Sequence, residues 1–167
     1  MKYLNAKRHL SMKRLSRLAI AMLMLCGLLG NVSGAEKTKH GTAAEAEALV
    51  KKAIALMKSS GKEAAFAEIN NPKGRFTDRD LYIFVYDMSG KCVAHGQNPK
   101  MIGKELMEMK DADGKYFVKE RVDIAKTKGS GWQDYKFTDP LTKRIERKRA
   151  YIERYEDLIV GSGIYKE

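Results

Sequence analysis

The stretch LYIFVYD, Leu81 to Asp87, alternates three aliphatic side chains (Leu81, Ile83, Val85) with three aromatic ones (Tyr82, Phe84, Tyr86). At the two-residue period of a strand the two sets point to opposite faces, so both faces are apolar and both need cover. A buried tyrosine face also needs partners for its hydroxyls, which an aliphatic core does not supply. Such a face suits the lining of a pocket.

Working outward, DMSG reads as a turn and KCVAH as a second strand, making a β-hairpin. Upstream, Thr42 and Glu45 form a capping box ahead of Leu49, Val50, Ala53, Ile54 and Met57, which recur on one helical face. Gly61 stops this amphipathic helix, and KEAAFAEI gives a second short helix ended by Asn70, Asn71 and Pro72. Downstream, Gly96 to Asp113 reads as a loop with one short helical turn, and Lys115 to Lys128 as a helix with Phe117, Val118, Val122 and Ala125 on one side. WQDYKFT, KRIERKRAYIERY and LIVGSGIY, joined by the short turns DPLT and ED, form a meander of strands. The sum is a single α+β domain with five strands, a long N-terminal helix and a helix-bearing crossover.

The first 35 residues stand apart. Lys2, Lys7, Arg8, Lys13, Arg14 and Arg17 precede an apolar run from Leu18 to Leu29, followed by the small residues of NVSGA. This is the layout of a secretory signal peptide, cleaved after Gly34 or Ala35, with Met12 an alternative start. At about a dozen residues the run falls short of the roughly 20 that span a bilayer, so an uncleaved anchor is the second choice. Leu25 is too bulky before Cys26 for a lipoprotein site. Removing residues 1–35 takes away six basic and no acidic residues, so the net charge falls from +11 to +5. That balance, on an exported chain, argues against a nucleic-acid partner. One cysteine, Cys92, remains, so no internal disulfide is expected and the core must hold the fold alone.

Few residues offer chemistry. Cys92 and His95, three apart on a strand, point to opposite faces and make no local dyad, which leaves Cys92 as a small buried residue on the helix-covered side. His95 is either a pocket donor beside the tyrosines or a surface residue at the end of the hairpin. DADG (Asp111 to Gly114) resembles part of a calcium loop, but Met109 falls on the first ligand position, so Asp111 or Asp113 is expected to cap the following helix instead. In KRIERKRAYIERY, Lys148 shares a face with Ala150 and Ile152, while Ile145, Arg147, Arg149, Tyr151 and Glu153 lie on the other. An inward Lys148 requires an anionic partner from the protein or a ligand; the alternative is a solvated lysine. Trp132 and Tyr135 lie on opposite faces, so one of them joins the same cavity. The cluster Lys143, Arg144, Arg147 and Arg149 is read as a charged strand edge protected against strand addition.

The segments DLYIFVYDMSGKCVAH, NPKMIGKEL, DADGKYFVKE, GSGWQDYKF and KRAYIERYEDLIVGSGIY, in this order and spacing, resemble the single Cache type 2 domains, PAS-like extracytoplasmic sensor modules, from about Thr42 to Tyr165. The resemblance implies a long N-terminal helix packed on a five-stranded antiparallel sheet, whose other face and crossover loop enclose a small ligand, often a short carboxylate. It implies Tyr82 and Phe84 as pocket wall, His95 and Tyr135 as hydrogen-bonding groups and Lys148 as carboxylate anchor; Tyr86, closest to the turn, is expected at the rim. Trp132 and Tyr151 also match family positions. Leu81, Ile83 and Val85 then meet the long helix. Gly96 stands where the family usually has proline. Family members usually sit between two membrane spans and feed a kinase or chemoreceptor, so the chain reads as a free-standing periplasmic form.

The expected function is therefore periplasmic binding of a small organic acid in signal sensing, with a membrane receptor or kinase as partner. A membrane contact is expected only through an uncleaved signal segment. The alternative is an interaction protein with a vestigial pocket that docks a membrane partner. No nucleophile, base and oxyanion donor set and no metal spacing occurs in the sequence, so neither an enzyme nor a cofactor is expected.

Overall fold

The computed structural model describes residues 40–166; the expected signal segment lies outside them. Helix α1 (Ala43–Ser60) opens on the capping box: the Thr42 hydroxyl accepts the Glu45 N–H at 3.2 Å and the Glu45 carboxylate accepts the Thr42 N–H at 2.8 Å. Gly61, at φ 85°, ends α1 where a side chain would be strained. Helix α2 (Lys62–Ile69) follows, and its C-terminal Asn70 accepts the backbone N–H of His95 at 2.9 Å. No helix among the described residues is long and apolar enough to cross a membrane.

LYIFVYD is not one strand. Strands β1 (Thr77–Asp78) and β2 (Leu81–Tyr82) fold back on each other around Arg79, at φ 60°, as a two-residue ribbon, and β3 (Phe84–Asp87) begins beyond Ile83. Ile83 is the joint between the two pairings: its N–H donates to the Phe76 carbonyl (3.3 Å) and its own carbonyl accepts the Gly96 N–H (2.8 Å). A proline at position 96 could not donate that bond, which gives a local reason for glycine there. The alternation of faces survives the break. Ile83 and Val85 pack with Val50, Ile54 and Met57 of α1, while Tyr82, Phe84 and Tyr86 pack on the other side.

Strand β4 (Cys92–His95) pairs with β3, and β3 pairs with the last strand, β7 (Leu158–Tyr165). Strands β5 (Ser130–Thr138) and β6 (Ile145–Tyr155) complete an antiparallel sheet of order β4-β3-β7-β6-β5. The chain crosses from one edge, β4, to the other, β5, through a loop with a 3₁₀ turn (Pro99–Met101) and helix α3 (Phe117–Thr127). One sheet face is thus covered by α1, and the opposite face by α3 and its loop, with Met101, Leu106, Phe117, Val118 and Val122 buried against it. Fully burying an apolar side chain of this size stabilises by about 1.5–3 kcal/mol, and the two layers together explain why a strand apolar on both sides is stable.

Three local expectations change. A bulge between Val85 and Tyr86 pairs Phe84 with His95, Val85 with Ala94 and Tyr86 with Cys92. The extra residue on β4 puts Cys92 and His95 on the same side, so Cys92 packs with Phe84 and Tyr86 rather than under α1. β6 lies between β5 and β7, so Arg147 and Arg149 do not guard a strand edge. Helix α3 starts after Tyr116 without a side-chain cap, and Asp111 instead accepts backbone N–H groups of Asp113, Lys115 and Lys136, each at 2.9 Å, tying its loop to the outer edge of β5. Burial would raise the Asp111 pKa, but these three N–H groups and Lys115 hold it below the usual carboxylate value.

Candidate functional site

The side chains facing α3 form an aromatic chamber with two cations inside it. Register brings them together: Tyr135 of β5 stands opposite Lys148 of β6, and Lys148 stands opposite Tyr165 of β7. Tyr82 and Phe84 reach the same space from β2 and β3. Its floor at β7 is glycine, because a Cβ on Gly161 would lie 2.2 Å from the Phe84 ring. The backbone of β7 can therefore carry an aromatic ring directly against it.

Lys148 is completely buried. Its Nζ lies 3.7 Å from the Tyr82 ring centroid and 4.6 Å from that of Tyr165, and donates to the Tyr165 hydroxyl at 3.3 Å. The Tyr165 hydroxyl donates to the Thr138 carbonyl at 2.7 Å, so the Tyr82 hydroxyl, 3.3 Å away, is the donor in the Tyr82–Tyr165 contact. No carboxylate among the described residues is within ion-pair distance of Lys148. Burial, then the charge of Arg121, push the Lys148 pKa well below the ordinary lysine value, against a weaker upward pull from Asp80 and Asp139. The solvated alternative for Lys148 is thereby overturned.

Arg121 is the second cation and was not among the residues expected from sequence. It is 1% exposed on α3, with its guanidinium carbon 4.3 Å from the Phe84 ring centroid, 4.9 Å from Tyr86 and 5.4 Å from Tyr135. Its Nε and one terminal nitrogen, Nη2, are buried without a hydrogen-bond partner. The signal was available: Arg121 follows Phe117 by four residues and Val118 by three, so it must sit on the apolar stripe of α3. Tyr86, 2% exposed and packed against Arg121 and Phe84, belongs to the chamber interior rather than to its rim.

His95 is buried at 2% exposure, with its ring 5.1 Å from that of Tyr82, which rules out the surface alternative. Its Nδ1 accepts the N–H groups of Gln97 (3.2 Å) and Asn98 (3.0 Å), which fixes the neutral tautomer with the proton on Nε2. The ring borders a cleft of about 210 Å³ together with Tyr82, Phe137, Thr138 and Lys143. A second cleft, about 290 Å³, reaches Tyr135 and Lys148 from the charged edge at Asp113, Asp134 and Arg147. Each cleft thus borders the chamber at different residues, and Arg121 lines neither.

Burial, then Lys148 and Arg121, lower the His95 pKa to about 3. An unfolded histidine takes its proton near 6.5, so between about 3 and 6.5 the unfolded chain binds more protons and stability falls as the pH drops through that window. In thermal unfolding between pH 6.5 and 5, above the carboxylate range, His95→Gln is expected to flatten the wild-type decline by up to about 1.4 kcal/mol per pH unit.

Of the seven residues expected at the site, Tyr82, Phe84, His95, Tyr135 and Lys148 line the chamber. Trp132 and Tyr151 do not. They pair across β5 and β6, 5.4 Å apart, and pack with α1, because each is one residue out of phase with Gln133 and Ala150 on the chamber face. Cys92 faces the chamber side, but burial raises its pKa to about 11, so it is not a nucleophile.

Comparison with known proteins agrees with this architecture. The profile of the Single Cache domain 2 family matches residues 10–167. The chain is 28% identical over 162 residues to the methyl-accepting chemotaxis protein McpP of Pseudomonas putida, covering 88% of this chain and 29% of McpP. It is 30% identical over 89 residues to the sensor histidine kinase MctS of Rhizobium johnstonii, covering 52% of this chain and 19% of MctS. The chain thus spans less than a third of either relative. A solved methyl-accepting chemotaxis protein from Vibrio parahaemolyticus superposes with a TM-score of 0.64 at 26% identity, over 73% of this chain and 86% of that one. A periplasmic sensor domain of a chemotaxis protein gives a TM-score of 0.61 at 27% identity, over 74% and 90%. A Cache chemosensory domain studied for carboxylic acid recognition shares the fold, with a TM-score of 0.59 at 24% identity over 74% and 88%. The helix-backed five-stranded sheet and the match across nearly the whole sequence make the chain a member of the single Cache domain 2 family of sensor domains.

Proposed function

We propose that this protein is an exported, extracytoplasmic sensor module that captures a small organic carboxylate in its aromatic chamber, with residues 1–35 as the export signal. The supporting observation is that Lys148 and Arg121 are both buried against the same aromatic wall with no carboxylate paired to either among the described residues. A buried cation is costly to leave without a counter-charge, and two in one chamber make it a strong anion receptor. Arg121 offers its unpartnered nitrogens, Lys148 its ammonium, and the Tyr135 hydroxyl can donate to a carboxylate oxygen. His95 contributes a neutral Nε2–H donor. Phe84 and Phe117 are the apolar side chains on which a short aliphatic tail would pack. The fold shared with a carboxylic-acid-recognising Cache domain is in keeping with this chemistry. A membrane receptor or kinase would read the occupied state.

The test is a thermal-shift screen with two- to four-carbon carboxylates, each run against its uncharged amide. A carboxylate at 100 times its dissociation constant is expected to add about 2.7 kcal/mol of stability, and the amide none. Absence of stabilisation by every carboxylate would favour instead a domain that docks a partner through its surface.

A further inference from the structure

In the basic cluster of the β5–β6 hairpin, Lys143 and Arg147 border the two clefts beside the chamber, and because β6 is internal to the sheet the cluster does not guard an edge. Between Leu141 and Arg149 it exposes four cations, Lys143, Arg144, Arg147 and Arg149, and none is ion-paired among the described residues, whereas Lys115, Lys136 and Lys166 nearby all are. Of the acidic groups beside it, Asp134 stands opposite Arg149 on β5, exposed and paired with Lys166, while Asp139 and Glu146 are withdrawn. Asp139 is fully buried, accepting the Leu141 N–H and facing His40 at 3.0 Å, and Glu146 is half-buried, accepting the Thr142 hydroxyl at 2.8 Å. The same hairpin presents two of the three large apolar side chains exposed among the described residues, Leu141 at 39% and Ile145 at 62%.

We propose that this hairpin tip is a docking surface for an anionic phospholipid bilayer, with the cations on the headgroups and Leu141 and Ile145 at the acyl boundary. Exposed aliphatics ringed by unpaired cations match both zones of a membrane interface, whereas a nucleic acid or an acidic peptide would use the charges and leave the aliphatics in water. The chamber reading is not needed for this surface to act, and occupancy of the chamber does not enter the test.

The full chain is incubated with phosphatidylcholine vesicles, with and without phosphatidylglycerol, and amide hydrogen exchange is followed across residues 139–147. Because the apolar run can attach the chain to either vesicle, the readout is protection of the hairpin rather than co-sedimentation. The expected result is protection on phosphatidylglycerol-containing vesicles alone, abolished at high salt. The vesicle concentration needed should rise about fivefold for each of Arg144→Gln and Arg147→Gln. Equal exchange on both kinds of vesicle, or unchanged protection in the double variant, overturns the proposal. So does protection without vesicles that grows with protein concentration, which would assign the surface to a second copy of the chain.

Discussion

Lys148→Met is expected to make the ligand-free protein more stable by about 1–4 kcal/mol while abolishing its response to carboxylates. The two effects have one cause. Lys148 is fully buried, has no carboxylate at ion-pair distance among the described residues and shares its chamber with Arg121. Methionine keeps most of the side-chain volume and the contact with the Tyr82 ring but removes the desolvated amine. The sign of the pH dependence follows. The folded lysine has a pKa well below its unfolded value near 10.5, so between the two values the unfolded chain holds the extra proton and wild-type stability rises with pH. The advantage of the methionine variant should therefore shrink as pH rises toward 10.5. Urea unfolding of both proteins across that range, with and without carboxylate, measures all three effects. A variant less stable than wild type at neutral pH would mean that Lys148 is already well compensated by the protein.

Asp80→Ala is expected to cost about 1–3 kcal/mol from the buried Tyr165 N–H left without its acceptor, with a smaller addition from the half-buried Gly41 N–H. Asp80, fully buried between β1 and β2, accepts the backbone N–H of Gly41 at 2.6 Å just before α1 and that of Tyr165 at 3.2 Å at the end of β7. One carboxylate thus ties the start of the fold to its last strand, and Tyr165 carries the hydroxyl that receives Lys148. The midpoint of denaturant unfolding reads the loss, and Asp80→Asn, which keeps one acceptor oxygen, should recover part of it. Carboxylate affinity should fall in the alanine variant as well, since a shifted Tyr165 backbone displaces its hydroxyl. Unfolding at the wild-type midpoint would show that the two termini are held by other contacts.

Much of this fold is legible in LYIFVYD, because side-chain alternation survives even where the hydrogen-bond ladder changes partner. What the alternation does not reveal is the break at Ile83, since β2 pairs locally with β1 while β3 pairs with a strand more than 70 residues away. The capping box at Thr42 and Glu45 is purely local, and it sits where the spacing puts it. The bulge that turns Cys92 toward the chamber comes from cross-strand register, which a single strand sequence does not encode. Trp132 and Tyr151 illustrate a different limit: period two separates them from Tyr135 and Lys148, yet resemblance groups all four. Arg121 was readable and is the instructive case, since an arginine on a helix's apolar stripe marks a buried charge before any coordinates exist.

The central claim is that Arg121 and Lys148 together hold a carboxylate. The most direct measurement is nitrogen-detected NMR of the Arg121 guanidinium and the Lys148 amine while a short carboxylate is titrated in, with its amide as control. Both signals are predicted to shift saturably with one dissociation constant for the carboxylate, and neither to move with the amide. Saturable binding of a carboxylate that leaves both signals in place would contradict the account.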